Sequence, residues 1–287
     1  MRRLLAAQFP RWAELPIERV ESAGTENALY RLGDDRVVRL PLLRRPIAEI
    51  EKEHRWLPKL APHLPLAIPE PLALGEPAEG YPCHWSVYRW LEGEKATLER
   101  IADLREAART LARFVLALQR IDTTGGPRPG RHNFYRGVDL ALRDPITRNS
   151  IAALDGMVDT AAVTAEWEAA LAIPAWPREP VWIHGDIQSG NLLTVSGRLS
   201  AVIDFGGLGV GDPAVDLIVA WNLLPAEARA VFRAELGVDD ATWARGRGWA
   251  LSVSLVALPY YQTTNPVHAA LSRHAIAELL ADRGRGA

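Results

Sequence analysis

The most informative part of the sequence reads WIHGDIQSGNLL over residues 182–193 and continues as AVIDFGGLGVGDPAVDL over residues 201–217. Two carboxylates, Asp186 and Asp204, each follow a short apolar run, and the amide of Asn191 lies between them. A charged side chain at the end of a buried strand costs free energy unless a partner, a metal or a ligand compensates it. This window therefore indicates a functional site.

A tight hairpin is predicted between Asn191 and Asp204. Two apolar strands, 192–195 and 199–203, flank a turn at 196–198. Folding about this turn places Asn191 nearly opposite Asp204, and cross-strand neighbours lie about 5 Å apart. An amide and a carboxylate, without thiols or clustered imidazoles, suit a hard cation such as Mg²⁺. We therefore expect Asn191 and Asp204 to be the metal ligands.

Asp186 precedes Asn191 by one short loop, so it can face the same spot without binding the metal itself. Phosphoryl transfer requires an oxygen-ligated cation, which neutralises charge on the nucleotide, and a separate carboxylate, which accepts a proton from the attacking hydroxyl. Asp186 is accordingly predicted to be the catalytic base. We expect His184 to be a packed, hydrogen-bonded histidine rather than a metal ligand.

Composition and charge limit the classes of protein to consider. The chain has 287 residues, of which 48% are apolar and 24% charged, so it is long enough for two domains or one bilobal unit. A formal net charge of −2 gives no sign of a nucleic-acid or membrane partner. Cys83 is the single cysteine, which excludes disulfides within the chain and fits a reducing compartment. We expect a cytoplasmic protein without a signal peptide or membrane span.

The hydrophobic pattern changes from strands to helices near residues 92–96. Strands are predicted over 18–22, 28–32, 36–40 and 86–91, with a hairpin turn at Gly33-Asp34-Asp35 and a helix from Pro46 to about Leu60. Helical spacing of apolar residues then predicts helices over 104–118, 214–224, 226–236, 241–258 and 267–280. This order predicts an α+β fold with two lobes, residues 1–93 and 94–287.

The central window resembles a known family. HGDIQSGN (184–191) resembles the catalytic loop of the aminoglycoside phosphotransferase family, a branch of the protein-kinase-like superfamily, and IDFGGLGVGDPAVDL (203–217) resembles its metal-binding segment. Four more segments follow in the family's order. GTENALYRL (24–32) resembles its nucleotide-covering loop and second strand, RVVRLP (36–41) its third strand, EKEHRWLPKL (51–60) the helix behind it and YRWLEGE (88–94) its hinge. The resemblance covers most of the chain.

This resemblance implies a bilobal protein-kinase-like fold. Its small N-terminal lobe would be an antiparallel sheet with one helix, and its larger C-terminal lobe mostly helical. ATP or GTP would bind in the cleft between the lobes as co-substrate, together with Mg²⁺.

Arg39 departs from the family pattern. Kinase-like enzymes usually place a lysine there, which bonds the nucleotide's phosphates and an acid on the following helix. The resemblance implies that Arg39 contacts the phosphates and pairs with Glu53, or alternatively with Glu49. Arginine keeps the charge but brings a planar fork, so the two residues are not interchangeable at close range.

The resemblance also implies the remaining contacts of the nucleotide. The residues expected to cover its phosphates are Ser22, Gly24, Thr25 and Asn27, and the backbone around Tyr88 and Trp90 is expected to bond the purine. Asp216 is expected to hold the catalytic loop by hydrogen bonds. Asp212 is expected to cap a helix that begins at Pro213.

The acceptor is predicted to be a small-molecule hydroxyl compound of the aminoglycoside type, with a macrolide or another metabolite alcohol as the alternative. Cationic aminoglycosides call for inward carboxylates, whereas an apolar alcohol suits the aromatic residues of the C-terminal helices, Trp221, Trp243, Trp249, Tyr260 and Tyr261. A nucleotide-binding pseudokinase is a competing interpretation. A protein kinase is disfavoured because His-Gly-Asp replaces His-Arg-Asp, and a metal-dependent hydrolase lacks a second cluster of ligands.

Overall fold

The N-terminal part of the chain is a five-stranded antiparallel sheet. A computed structural model of the protein describes residues 1–21, 26–44 and 46–285, with side chains to residue 282. The strands follow the order β1-β2-β3-β5-β4, and their bounds are β1 Ile17–Val20, β2 Asn27–Leu32, β3 Arg36–Pro41, β4 Pro71–Gly75 and β5 Trp85–Arg89. Helix α1, Arg2–Gln8, buries Leu4 and Leu5 against this sheet, and the sequence analysis did not predict it.

The predicted hairpin between β2 and β3 is confirmed. Leu32 pairs with Arg36, and Gly33 in the turn has a φ of +60°, a conformation that favours glycine. The first strand ends at Val20, two residues before the predicted end at Ser22, which lies outside the described residues. Strand β5 lies between β3 and β4 and is therefore an interior strand.

Helix α2 spans Ile47–Leu60, with Pro46 at its N-cap, as predicted. Its buried face includes Trp56 and Leu57, but it also carries two charged residues, Lys52 and Glu53. Burying either charge is unfavourable without a partner. Helix α2 therefore places two buried charged side chains, each with polar partners, at the boundary between the sheet and the rest of the chain.

The rest of the chain is mostly helical. The helices are α3 Leu104–Gln119, α4 Asp144–Ala153, α5 Thr160–Leu171, α6 Val219–Asn222, α7 Ala226–Leu236, α8 Asp240–Thr264 and α9 Pro266–Arg285. They enclose the larger hydrophobic core, in which Trp167, Trp182, Trp221 and Trp249 are fully buried. No helix in the described ranges has the length and apolarity that a membrane span requires.

Two predicted helices differ in form from the structure. The prediction over 214–224 is wrong in type, because a six-residue 3₁₀ helix, Pro213–Ile218, precedes the short α6. Over so few residues, the spacing of apolar side chains does not separate a period of 3.0 from one of 3.6. Helix α8 continues past Pro259 to Thr264, where Tyr261 stacks on His268 of α9 at a centroid distance of 4.7 Å. Tertiary packing thus overrides the helix-breaking tendency of proline.

Two small sheets hold the central window. Strand β7, Val181–Ile183, pairs with β10, Gly209–Gly211. Strands β8, Leu192–Val195, and β9, Arg198–Val202, form the predicted hairpin, and β6, Glu94–Lys95, adds a third strand to it. The boundary at residues 93 and 94 stays a prediction; β6, which follows it, pairs with β8.

One substitution tests how closely α8 packs on the 3₁₀ helix. In an open helix interior, Gly→Ala stabilises by about 1 kcal/mol. At Gly246, however, a Cβ would lie 2.7 Å from Leu217 Cβ and Cδ1, and overpacking costs about 1–3 kcal/mol. We therefore expect Gly246→Ala to lower the melting temperature in differential scanning calorimetry.

The matched control is Ala230→Gly at an exposed position of α7, which measures the helix-propensity effect alone. It should destabilise by about 1 kcal/mol. A higher melting temperature for Gly246→Ala would contradict the close contact.

Candidate active site

His184 joins the loop after β7 to the end of β9. Its Nδ1 accepts a hydrogen bond from the backbone N–H of Asp186 at 3.1 Å, so the proton resides on Nε2, which donates to the carbonyl of Ile203 at 3.1 Å. The ring is fully buried, and burial lowers the pKa of His184 to about 4. The expectation of a packed, hydrogen-bonded histidine is confirmed.

Asp216 fixes the backbone of the same loop by hydrogen bonds. Its two carboxylate oxygens accept hydrogen bonds from the backbone N–H groups of His184 and Gly185, at 2.9 and 2.7 Å. Burial raises the pKa of Asp216 to about 7, although these two hydrogen bonds oppose the shift. The predicted supporting role of Asp216 is confirmed.

The geometry at residue 185 explains why a glycine lies between His184 and Asp186. Its φ is +82°, and a Cβ at this position would lie 2.5 Å from the carbonyl oxygen of Gly207. The loop therefore approaches the segment after Asp204 too closely for any side chain at residue 185.

Asp186 is held at the end of this loop by three side chains. Oδ2 accepts from Gln188 Nε2 at 2.9 Å and from Asn191 Nδ2 at 3.0 Å, while Oδ1 lies 3.4 Å from Arg136 Nη2. Burial raises the pKa of Asp186, the charge of Arg136 opposes this, and Asp204 adds to it. A quarter of the side chain remains exposed, and it lines a cavity.

Asn191 and Asp204 lie at the base of the β8–β9 hairpin, as predicted. The backbone N–H of Ile203 donates to the carbonyl of Asn191 at 2.8 Å, so Ile203 lies across from Asn191 and Asp204 is the next residue along the chain. Because Asn191 Nδ2 donates to Asp186, its Oδ1 is the atom left to accept. Asp204, at a left-handed φ of +64°, is half-exposed and lines the same cavity. An amide oxygen and a carboxylate fit the donor set of a magnesium ion.

The predicted pairing of Arg39 with Glu53 is present, and Glu49 is not the partner. Arg39 Nη1 lies 3.0 Å from Glu53 Oε2, an oxygen that also accepts from the Tyr88 hydroxyl at 2.9 Å. Arg39 Nη2 lies 3.8 Å from Asp204 Oδ1. Burial disfavours the charge on Arg39, but Glu53, Tyr88 and Asp204 outweigh it and raise the pKa of the guanidinium.

Three of the other predicted nucleotide residues line the same cavity. Asn27, Tyr88 and Trp90 line it, whereas Ser22, Gly24 and Thr25 lie outside the described residues. The backbone N–H of Trp90 already donates to the carbonyl of Asp35 at 2.8 Å.

Lys52 was missed by the sequence analysis. Its buried ammonium donates to the carbonyls of Gly206, Leu208 and His132 at 2.8, 3.1 and 3.1 Å. It thereby fixes α2 to the segment that follows Asp204. The sequence did contain a signal for the burial of Lys52, because it precedes Trp56 by four residues and therefore lies on the same, buried face of α2.

Arg136 and Arg143 were also missed, because Arg136 lies in a loop and Arg143 ends a short 3₁₀ helix, Leu140–Arg143, and neither belongs to a periodic pattern. Arg143 Nε donates to Ser252 Oγ at 2.9 Å, and its guanidinium lies 4.9 Å from the Trp249 ring. Burial, and secondarily the charge of Arg136, lowers the pKa of Arg143 to about 9. Both arginines line the cavity.

The cavity has a volume of about 1160 Å³ and is bounded by the five-stranded sheet on one side and by α8 and α9 on the other. Of the aromatic residues expected there, Tyr260 and Tyr261 line it. Trp221, Trp243 and Trp249 do not; they are buried in the core, so this expectation is wrong for all three. Hydrophobic periodicity identifies buried aromatics but does not distinguish a core from a cavity wall.

A model of the phosphotransferase enzyme family (APH) matches residues 17–249, and the chain belongs to this family. The aminoglycoside 3'-phosphotransferase of Escherichia coli is 43% identical over 58 residues, which are 20% of this chain and 21% of the relative. The match thus takes in about a fifth of the curated relative's length.

Solved structures confirm the predicted fold class. The GDP and kanamycin complex of APH(2")-IIia has a TM-score of 0.74 and 20% identity over 98% of each chain. The apoenzyme of macrolide 2'-phosphotransferase MphH from Brachybacterium faecium has a TM-score of 0.61 and 23% identity, covering 94% of this chain and 95% of that one. The chain has the kinase-like α+β fold of these proteins, a sheet-containing N-terminal part and a helical C-terminal part.

The hydrogen bonds of Asp216 can be tested by Asp216→Asn. The amide NH₂ would face a backbone N–H and leave that donor buried without an acceptor, which costs about 1–3 kcal/mol. We expect a lower melting temperature in differential scanning calorimetry. The control is Asp240→Asn, whose side chain is 98% exposed; equal stability of the two variants would contradict the role of Asp216.

Proposed function

We propose that this protein transfers the γ-phosphate of ATP or GTP to a hydroxyl group of a small molecule. The observation that carries the proposal is the convergence of Asp186, the acceptor oxygen of Asn191 and the carboxylate of Asp204 on one cavity, next to the Arg39–Glu53 pair. Residues 1–93 would form the nucleotide-binding lobe and residues 94–287 the lobe that holds the base and the acceptor.

Arg39 is proposed to contact the nucleotide's phosphates. Its Nη1 is held by Glu53 and its Nη2 points toward Asp204, so the guanidinium is oriented before a ligand arrives. Asn27 of β2 lines the same part of the cavity, and with Ser22, Gly24 and Thr25 it is proposed to cover the phosphates. The backbone from Tyr88 to Leu91, including Trp90, would bond the purine.

Asn191 and Asp204 are proposed to hold Mg²⁺. When bound, the ion would neutralise negative charge on the transferred phosphoryl group. The chain's own contribution is to orient the two oxygens. Asn191 is fixed by donating to both the carbonyl and the carboxylate of Asp186, and Asp204 is fixed by its position at the end of β9.

Asp186 is proposed to be the base that accepts the hydroxyl proton. A base must be ionised, and burial works against that. The neighbouring charge of Arg136 and the hydrogen bonds from Gln188 and Asn191 favour the ionised carboxylate and fix its orientation. These contacts leave part of the carboxylate exposed to the cavity, where an acceptor hydroxyl can reach it.

The names of the similar proteins provide two acceptor classes, aminoglycosides and macrolides, and both are alcohols. A nucleotide-binding pseudokinase is the second candidate function. It is disfavoured because the base, both metal-ligand candidates and the Arg39–Glu53 ion pair are present together.

The role of Asp186 is tested by Asp186→Ala. Loss of a general base lowers turnover by about 10²–10⁴-fold, while nucleotide binding should persist because Arg39 and Asp204 are untouched. ADP or GDP formation should be followed with a panel of aminoglycosides, macrolides and simple metabolite alcohols, and nucleotide affinity by calorimetry. Turnover equal to that of the parent protein, or of the surface control Asp240→Asn, would end the assignment.

The effect of Arg136 on the base is tested by pH profiles. Arg136 opposes the rise in the pKa of Asp186, so its removal should raise that pKa further. In Arg136→Met, the acidic limb of kcat/KM should move to higher pH, because activity is lost as pH falls through the pKa of the base. Arg136→Lys keeps the charge and should stay near the parent profile. An unmoved limb in Arg136→Met would show that Arg136 does not tune this group.

A further inference from the structure

Arg143 differs from the other buried arginines of the described chain in having no carboxylate partner. Arg229 pairs with Glu278 and Asp282 at 2.6 and 3.1 Å, and Arg245 pairs with Asp212 at 2.8 Å. Arg143 is only 8% exposed. Within the part of the chain that the structure describes, it makes no ion pair.

The side chain of Arg143 is nevertheless held in a defined position. Ser252 Oγ accepts from its Nε at 2.9 Å, and Ser252 is itself bonded to Thr147 at 2.7 Å. The guanidinium rests on the Trp249 ring. Its two terminal nitrogens are not used by these contacts, and Arg143 lines the cavity. Burial lowers its pKa, as expected for a cation that lacks a counter-charge.

A second arginine has an unused donor nearby. Arg136 uses Nη2 on Asp186, while its Nη1 is buried and has no hydrogen-bond partner. Arg136 is close enough to Arg143 to lower its pKa electrostatically. Both arginines therefore line one cavity, and Arg136 lies next to the proposed base.

In the described wall of that region Asp186 pairs with Arg136, and no carboxylate forms an ion pair with Arg143. The acidic residues of the cavity lining are Glu21 and Glu26, near the ends of strands β1 and β2, and Asp186 and Asp204 of the catalytic window. The wall from α4, α8, α9 and the turn before α4 is largely apolar and includes Leu142, Ile146, Val253, Ala257, Leu271 and Ala275. The carboxylates Glu227, Glu235, Asp239 and Asp240 are not part of the lining.

We propose that the acceptor is an alcohol that carries an oxyanion, a carboxylate or a phosphate, which Arg143 and Arg136 bind beside Asp186 while the acceptor's apolar body lies against α8 and α9. This inference rests on the proposed phosphotransferase function. A guanidinium presents two parallel N–H donors that match either oxyanion, and a charge-assisted bond of this kind is stronger out of water. An unpaired buried charge costs stability, so a buried arginine without a carboxylate partner points to a ligand that pairs with it.

The proposal is tested by calorimetric binding, without nucleotide, of two alcohols that differ in one group. Mandelate and 1-phenylethane-1,2-diol share a ring and a hydroxyl, but only mandelate has a carboxylate. Inorganic phosphate is the second anionic probe, and kanamycin represents a polycationic alcohol. We expect mandelate or phosphate to bind at least about tenfold more tightly than the diol, as a charge-assisted hydrogen bond predicts.

Substitution of single arginines shows which of them binds the anionic probe. Arg143→Met removes the charge and keeps most of the side-chain length, so the preference for the anionic probe should disappear; Arg143→Lys should retain part of it. Arg39→Met reports on the proposed nucleotide-phosphate site and should leave the preference intact. Arg113→Met, at a half-exposed arginine of α3, is the surface control.

The two anionic probes separate the two possible oxyanions of the acceptor. Preference for mandelate alone identifies a carboxylate, and preference for phosphate alone identifies a phosphate.

Three results would overturn the proposal. These are equal binding of the diol and both anions by the parent protein, tighter binding of kanamycin than of either anion, and loss of anion binding in Arg39→Met with retention in Arg143→Met. The first two need no variant, so a folding defect in Arg143→Met leaves the test intact. Failure of the proposed function is separate: it would appear as no acceptor-dependent ADP or GDP formation by the parent protein, or as unchanged turnover in Asp186→Ala, whatever the binding preference.

Discussion

The candidate site depends on two hydrogen bonds from the backbone of His184 and Gly185 to the buried carboxylate of Asp216. They fix a loop that could otherwise adopt several conformations, and the loop places Asp186 at the cavity. His184 connects this loop to the end of β9, because its Nε2 donates a hydrogen bond to the carbonyl of Ile203. The ring of His184 and the carboxylate of Asp216 are both buried, and together they align Asp186 and Asp204 of the central window.

The cleft is otherwise organised by paired charges. Arg39 binds Glu53, and Arg136 lies beside Asp186. Lys52 bonds three carbonyls and so ties α2 to the segment after Asp204. Buried charges are tolerated when each has such partners. In this setting the guanidinium of Arg143, which has no ion-pair partner among the described residues, is an exception, and the proposed anionic acceptor would supply the missing partner.

Much of the fold was predictable because it is encoded locally. The β2–β3 hairpin follows from strand propensity around Gly33, and α2 begins directly after Pro46, as expected of a proline at a helix start. The 3₁₀ form of 213–218 and the continuation of α8 past Pro259 were not predictable. Both depend on packing between helices that are distant in sequence, which can override local preference.

The sequence by itself determined the fold class and the convergence of Asp186, Asn191 and Asp204 on one candidate site, because short-range spacing sets which side chains a tight hairpin and its preceding loop can bring together. Only the tertiary structure revealed Lys52, Arg136 and Arg143, and only it showed that the C-terminal tryptophans belong to the core. The reason is physical: whether a side chain faces a core or a cavity, and whether a buried charge has a partner, depends on segments that meet only when the chain folds.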